Sequence, residues 1–143
     1  MTTERSRIEL EFGSDPWLLQ AVNTTVLYFA RRAGLDETAQ ADLAAATEQA
    51  CADTFKLLPE TDDHIVMIVE DFADRVEVTL KHHGEALPSA GLETFAGLGE
   101  GEAADFSGLM LLSRVDRVMY ETADGTSRTI LIKYTNTSSQ SES

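Results

Sequence analysis

The sequence predicts a single α+β domain, a two-layer sandwich in which a mostly antiparallel sheet carries its helices on one face. Segments with the alternation of strands come in neighbouring pairs, as in hairpins, and two longer segments with helical spacing stand together near the amino terminus. The length of 143 residues suits one domain with its own hydrophobic core. Together these observations favour antiparallel pairing over the alternating strand and helix units of a parallel sheet.

The first predicted elements are a strand and a helix. Residues from Ile8 to Phe12 alternate between apolar and charged side chains, which is the pattern of a half-buried strand. Ser14 is the N-cap candidate of a helix that has Pro16 in its first turn and ends at Gly34. The apolar residues of this helix recur every three or four positions, which predicts one stripe facing the core.

A second helix and a strand pair follow. The helix is predicted from a cap at Asp36, through an alanine-rich stretch that favours close packing, to Pro59. The strands are predicted from His64 to Glu70 and from Arg75 to Lys81, with residues 71–74 as the loop between them. The connection after this pair is rich in glycine and glutamate and is longer than most connections in compact domains.

The last third of the chain predicts a helix, a hairpin and a tail. Apolar residues from Leu109 to Val118 have helical spacing. Asp124-Gly125 separates the strand-like runs Val118–Thr122 and Arg128–Tyr134, and this dipeptide is a strong hairpin signal. Residues Thr135 to Ser143 are mostly small and polar, which predicts a disordered tail.

Composition and charge narrow the class of protein. No apolar run approaches the roughly 18 residues that span a bilayer, and residues 1–12 lack the pattern of a signal peptide, so a cytoplasmic location is predicted. Cys51 is the only cysteine, which excludes an intramolecular disulfide and predicts a small buried side chain. The formal net charge of −14 excludes nucleic acids and anionic membranes as partner classes and makes basic protein surfaces the natural complement.

Three short stretches of the sequence occur in the same order and at the same spacing as the corresponding stretches of one known protein family. They are Ser14-Asp15-Pro16, Gly34-Leu35-Asp36 and Glu48-Gln49-Ala50-Cys51-Ala52-Asp53. On these residues the chain resembles the anti-sigma-factor serine kinases of the histidine kinase-like ATPase (GHKL) superfamily, over Ile8 to Tyr134. The resemblance implies a Bergerat-type ATPase fold for residues 1–134 and a polar tail at 135–143.

In this family the second helix carries a glutamate that acts as general base and, one turn later, an asparagine that helps to hold magnesium. Alignment on Ala50-Cys51 puts Gln49 at the base position and Asp53 at the metal position. An amide cannot serve as a base, whereas a carboxylate is a suitable magnesium ligand. The other register uses Glu48 as the base and leaves Ala52 at the metal position. Both registers stay open, and each loses one member of the pair.

Two further nucleotide-binding positions are altered. The family has an aspartate whose carboxylate accepts the adenine amino proton, close to a glycine, and here the residues are His82 and Gly84. The glycine-rich entry to the last helix is reduced to Ser107-Gly108 when aligned on Gly108. Alignment on Asp116-Arg117-Val118 places Asp105 and Ser107 at the glycine positions instead. The stretch that matches the family's ATP lid, 85–105, contains no Lys or Arg.

The resemblance and the altered positions lead to one expected function and one alternative. The expected function is that of an anti-sigma-factor-like regulatory protein with a degenerate ATP site. It would act by binding a sigma factor or a STAS-type anti-anti-sigma protein in a partner-switching pathway. The alternative is an active serine kinase that phosphorylates the anti-anti-sigma protein, with Glu48 as base, Asp53 on magnesium and His82 at the adenine.

Cofactors and assembly are also implied by the resemblance alone. ATP and Mg²⁺ are the implied cofactors, and the altered positions leave open whether either binds. A homodimer formed through the first strand and first helix is the implied assembly. Trp17 at the start of that helix suits either an interface or the core.

Overall fold

The computed structural model describes residues 4–13, 15–58, 64–83 and 114–135. Gly84, Ser107 and Gly108, the predicted lid, the first half of the predicted third helix and the polar tail after Thr135 lie outside these residues. The described elements, in chain order, are β1 (Glu4–Phe12), α1 (Pro16–Ala33), α2 (Glu37–Leu57), β2 (Ile65–Phe72), β3 (Arg75–His83), β4 (Arg117–Ala123) and β5 (Thr126–Tyr134).

The strands form one antiparallel sheet, and the helices pack against one of its faces. The strand order is β1-β2-β3-β5-β4, and every neighbouring pair is antiparallel. The hydrophobic core joins both helices to a single face of the sheet, which includes Met67, Val78 and Leu131. The prediction of an α+β domain with an antiparallel sheet is therefore confirmed. Neither helix of the described part of the chain is apolar enough, over a sufficient length, to cross a membrane.

The two helices form a hairpin whose ends are capped by local hydrogen bonds. Gly34 takes a left-handed conformation (φ 96°), and its N–H and that of Leu35 donate to carbonyls of the last turn of α1. The Asp36 carboxylate then accepts the N–H of Ala39 at 2.8 Å and begins α2, as predicted. The cap of α1 is Asp15, which accepts the N–H of Trp17 at 3.0 Å, and not the predicted Ser14.

Strand boundaries differ from the prediction where pairing extends beyond the apolar pattern. β2 and β3 are joined by Ala73 and Asp74 alone, so the predicted four-residue loop is too long. The prediction that a helix continues to Val118 is wrong, because Val118 lies in β4 and pairs with Leu131. Thr135, assigned to the tail by its composition, is buried and donates its N–H to the Asp74 carbonyl at 3.0 Å.

Candidate functional site

One flank of α2 faces β4 and carries three polar side chains. Asp42, Gln49 and Asp53 are separated by seven and four positions, so they fall within about 40° of one another around the helix. Asp42 lies 3.4 Å from the guanidinium of Arg114, which immediately precedes β4. The charge of Asp53 acts on the phenol of Tyr120, which lies in β4. This flank of α2 therefore lies on the side of the helix that is nearer to β4.

Gln49 and Asp53 are bonded to each other. The Gln49 amide donates from Nε2 to Asp53 Oδ1 at 3.0 Å, and both side chains are half-buried. Glu48 is rotated from Gln49 by about 100° around the helix and acts electrostatically on Cys51 on the far flank. The structure thus brings Gln49 and Asp53 together at the β4 side of α2 and does not bring Glu48 to them.

Tyr120 is a member of this site that the sequence analysis did not identify. It pairs with Thr129 of β5 and lies on the helix-facing side of β4 together with Val118, which contacts the core. Burial raises its pKa to about 12, and the negative charge of Asp53 adds to the shift. The phenol therefore keeps its proton at neutral pH and can donate a hydrogen bond. The signal in the sequence was the alternation of Val118, Tyr120 and Thr122.

His82 supplies a buried acceptor at the end of β3. Only 5% of its surface is exposed, and it shares the helix-facing side of the strand with Val78 and Leu80. Its Nδ1 lies 2.9 Å from the carbonyl oxygen of His83, which can only accept, so Nδ1 carries the proton. In the neutral ring Nε2 is then an acceptor. That atom is buried without a hydrogen-bond partner within the described structure.

The helix-facing side of the sheet changes from apolar to polar toward the end of β3. His82 pairs with Ser127, which pairs with Thr122, and the preceding row across the same strands is Leu80, Thr129 and Tyr120. Two strand spacings, or roughly 10 Å, separate the row positions of β3 from those of β4. The candidate site thus has His82 at one side and Tyr120 with Asp53 at the other.

The polar groups of this site differ in how well they suit ATP and Mg²⁺, the cofactors that the resemblance implies. An unpartnered buried acceptor at His82 suits an amino group, because an N–H donor would satisfy Nε2. Asp53 retains one carboxylate oxygen outside its bond to Gln49, and magnesium in proteins is commonly held by one or two carboxylates together with phosphates. No three His, Cys, Asp or Glu side chains of the described ranges come together as metal ligands. The unpartnered acceptor of His82 is therefore the group of this site that suits the base of a nucleotide.

A cavity of about 240 Å³ lies at the N-terminal end of α2 and includes Asp42 in its lining. Its polar groups already serve the fold: Asp36 caps α2, and Lys133 donates to the Arg114 carbonyl at 2.9 Å. Asp116 accepts the N–H of Tyr134 at 2.7 Å. Three aspartates line this cavity, so it disfavours a phosphate group. The site between α2 and the polar end of the sheet is the better candidate.

Comparison of the sequence with models of protein families and with curated proteins finds no match.

The raised pKa values of Cys51 and Tyr120 predict that the free energy of unfolding decreases at alkaline pH in two stages. Burial and, secondly, Glu48 raise the pKa of the Cys51 thiol from 9.0 to about 12. Between these values the folded state holds a proton that the unfolded state has lost, so folding stability decreases as the pH rises above 9.0. The slope is at most about 1.4 kcal/mol for each pH unit.

We expect Cys51→Ala to remove this first stage, so that its stability relative to the unsubstituted protein improves from pH 9 upward. Urea denaturation at pH 8, 9 and 10 measures the effect. Tyr120→Phe is the matched control, because the pKa of Tyr120 rises from 10.0 and its contribution begins one unit higher. A constant difference between Cys51→Ala and the parent protein across this range would contradict the prediction.

Proposed function

We propose that this chain is a cytoplasmic regulatory protein of the anti-sigma-factor type, built on a histidine kinase-like ATPase fold whose nucleotide site is degenerate. Its activity is protein binding in a partner-switching pathway, without phosphorylation of the partner. The α+β architecture is compatible with this fold, and the capped α1–α2 hairpin is formed by the stretches that carry the family resemblance.

The observation that carries the proposal is the bond between Gln49 and Asp53. Phosphoryl transfer to a serine is aided by a group that accepts the hydroxyl proton. Gln49, which stands at that position when the chain is aligned on Ala50-Cys51, has no useful proton affinity. Its amide holds one oxygen of the carboxylate that would otherwise serve the metal ion.

The proposed partners follow from the same family. A sigma factor or a STAS-type anti-anti-sigma protein would be bound directly, and the chain would form a homodimer, as its relatives do. Because the chain has a net charge of −14, most of its surface favours partner surfaces that are basic. These assignments rest on the resemblance and on charge.

Isothermal titration calorimetry with Mg-ATP tests the degenerate site. We expect any binding to be weaker than a Kd of about 1 mM, which corresponds to about −4 kcal/mol. A dissociation constant in the low micromolar range would contradict the proposal, because a competent pocket would then exist.

A double variant that restores the family's residues provides the matched comparison. Gln49→Glu with His82→Asp returns a base and an adenine acceptor, and we expect its affinity for Mg-ATP to rise at least about tenfold. Circular dichroism and a thermal melt establish first that the variant is folded, since His82 is buried. A folded variant with no gain in affinity would argue against placing the family's nucleotide site at these residues.

The buried acceptor of His82 favours a second candidate, an active serine kinase that binds adenine through Nε2. This candidate requires Glu48 as base, although Glu48 is rotated away from the flank that holds Asp53. Transfer of radiolabelled phosphate from ATP to a STAS-type protein, abolished in Glu48→Ala, would establish it. Transfer no greater than that of the Glu48→Ala control would exclude it.

A further inference from the structure

The solvent face of α1 carries an aromatic and basic stripe. Its members are the exposed residues of the helix, which recur every three or four positions along one side: Trp17, Gln20, Ala21, Thr24, Tyr28, Arg31 and Arg32. Trp17 is 79% exposed and Tyr28 is 56% exposed. The stripe runs for about 22 Å along the helix axis. We refer to this set as the α1 stripe.

The aromatic residues of the stripe are not needed to pack the core. The opposite side of α1 supplies the buried residues Val22, Val26, Phe29 and Ala30, each at most 6% exposed. Large exposed aromatic side chains are unfavourable in water and are typical of binding sites, where they act as anchors. Trp17 and Tyr28 therefore point to a surface that another molecule covers.

The charge of the stripe is opposite to that of the molecule. From Pro16 to Leu35 there is no Asp or Glu, although the whole chain has a net charge of −14. Arg31 and Arg32 are exposed, and no carboxylate of the described residues forms an ion pair with either. The Arg32 guanidinium lies over the Tyr28 ring at 5.6 Å, so one basic group is already positioned beside an aromatic surface. A negatively charged partner complements this combination.

We propose that the α1 stripe is the docking surface for an acidic amphipathic helix of a partner protein. A straight row of side chains at helical spacing matches the ridges of a second helix, with apolar residues against Trp17 and Tyr28 and carboxylates against Arg31 and Arg32. The inference rests on the proposed function as a partner-binding protein and specifies where, and with what chemistry, one partner binds.

A second copy of the chain is a poorer occupant of the same surface. A two-fold interface places the same patch of each copy against the other. Since the stripe contains no acidic residue, two stripes in contact would offer Arg31 and Arg32 no counter-charge, whether the two helices run parallel or antiparallel. The chemistry of the stripe thus favours a different protein. In this respect the inference departs from the homodimer through β1 and α1 that the family resemblance implies.

Two synthetic helical peptides test the proposal. Both have about 18 residues, lack tryptophan and carry the same leucine face; one bears glutamates on its polar face and the other bears lysines in their place. Trp17 is the only tryptophan, so its fluorescence reports binding at the stripe alone. We expect the acidic peptide to shift this emission to shorter wavelength and to bind at least about tenfold more tightly than the basic peptide. The net charge of the protein by itself predicts the reverse order.

Charge reversal within the stripe identifies the groups responsible. The double variant Arg31→Glu/Arg32→Glu should no longer bind the acidic peptide and should bind the basic peptide instead. Both arginine side chains are exposed, so we expect their replacement to leave the core intact. The control is Arg117→Glu with Arg128→Glu, the same change of charge on exposed strand residues away from α1. This control should bind the acidic peptide as the parent protein does.

Three results would overturn the inference. These are equal or tighter binding of the basic peptide, retention of the acidic peptide by the Arg31→Glu/Arg32→Glu variant, and a homodimer that Trp17→Ala dissociates in sedimentation experiments. The Mg-ATP titration does not involve the stripe, so the two proposals fail separately. A STAS-type or sigma-factor partner that binds the charge-reversed variant as tightly as the parent would leave the proposed function standing and exclude the stripe.

Discussion

Replacement of Leu43 by alanine is expected to lower the free energy of unfolding by about 2–5 kcal/mol. Leu43 is fully buried at the contact of α2 with the core. Its neighbours on α2, Ala44, Ala46 and Ala50, are also buried and have no side-chain length with which to fill the space. The cavity left by the substitution should therefore stay open, which places the loss in the upper part of this range.

Urea denaturation measured by circular dichroism gives this loss directly. Leu19→Ala is the matched control, because Leu19 is only partly buried where it packs against the same core, and its loss should be clearly smaller. A loss for Leu43→Ala of less than about 1 kcal/mol would show that the helices can move together and refill the space.

Replacement of His82 by leucine is expected to raise the free energy of unfolding by about 1–2 kcal/mol. The buried Nε2 has no hydrogen-bond partner within the described residues, so the hydration that this atom loses on folding is not replaced in the folded state. Leucine has an apolar side chain of similar size, and Leu80 already occupies the same side of β3. Improved packing should outweigh the lost bond from Nδ1 to the His83 carbonyl.

Thermal and urea denaturation of His82→Leu measure the gain, and His83→Leu is the control. His83 is adjacent and exposed, so its replacement should change stability by no more than about 0.5 kcal/mol. A loss of stability on replacing His82 would contradict the prediction, since it would mean that the imidazole makes a favourable interaction worth more than its burial. A gain is the result that retention of His82 for binding predicts, and the Mg-ATP titration tests that role separately.

Local signals in the sequence were sufficient for the helical hairpin. Gly34 and Asp36 mark the helix ends by backbone conformation and capping chemistry, which depend on neighbouring residues alone. Asp124-Gly125 likewise predicted the last hairpin, where both residues take positive φ values of 55° and 77°. Strand ends were less well predicted, because pairing across the sheet extends β2 through Asp71 and Phe72, which look like part of a loop.

The candidate site depended on information that a single sequence does not hold. Gln49 and Glu48 are neighbours in the chain, and only the packing of α2 against the sheet decides which one faces β4. Tyr120 comes from an edge strand distant in sequence, so no local pattern connects it with Asp53. Trp17 fitted the core and the surface equally well by composition, and its 79% exposure comes from the rotation of α1 about its axis.

The strand order also affects the sequence of folding events and the tolerance of the sheet to changes in chain length. The chain leaves the centre of the sheet at His83, reaches the edge in β4, and returns to pair with β3 only in β5. Pairing between such distant segments is slow to form, whereas the contacts of the α1–α2 hairpin are local, so the helices should assemble before the sheet closes. The entropy of closing a connection rises by only about 0.6 kcal/mol for each doubling of its length. A change in the number of residues between β3 and β4 is therefore expected to cost the sheet little.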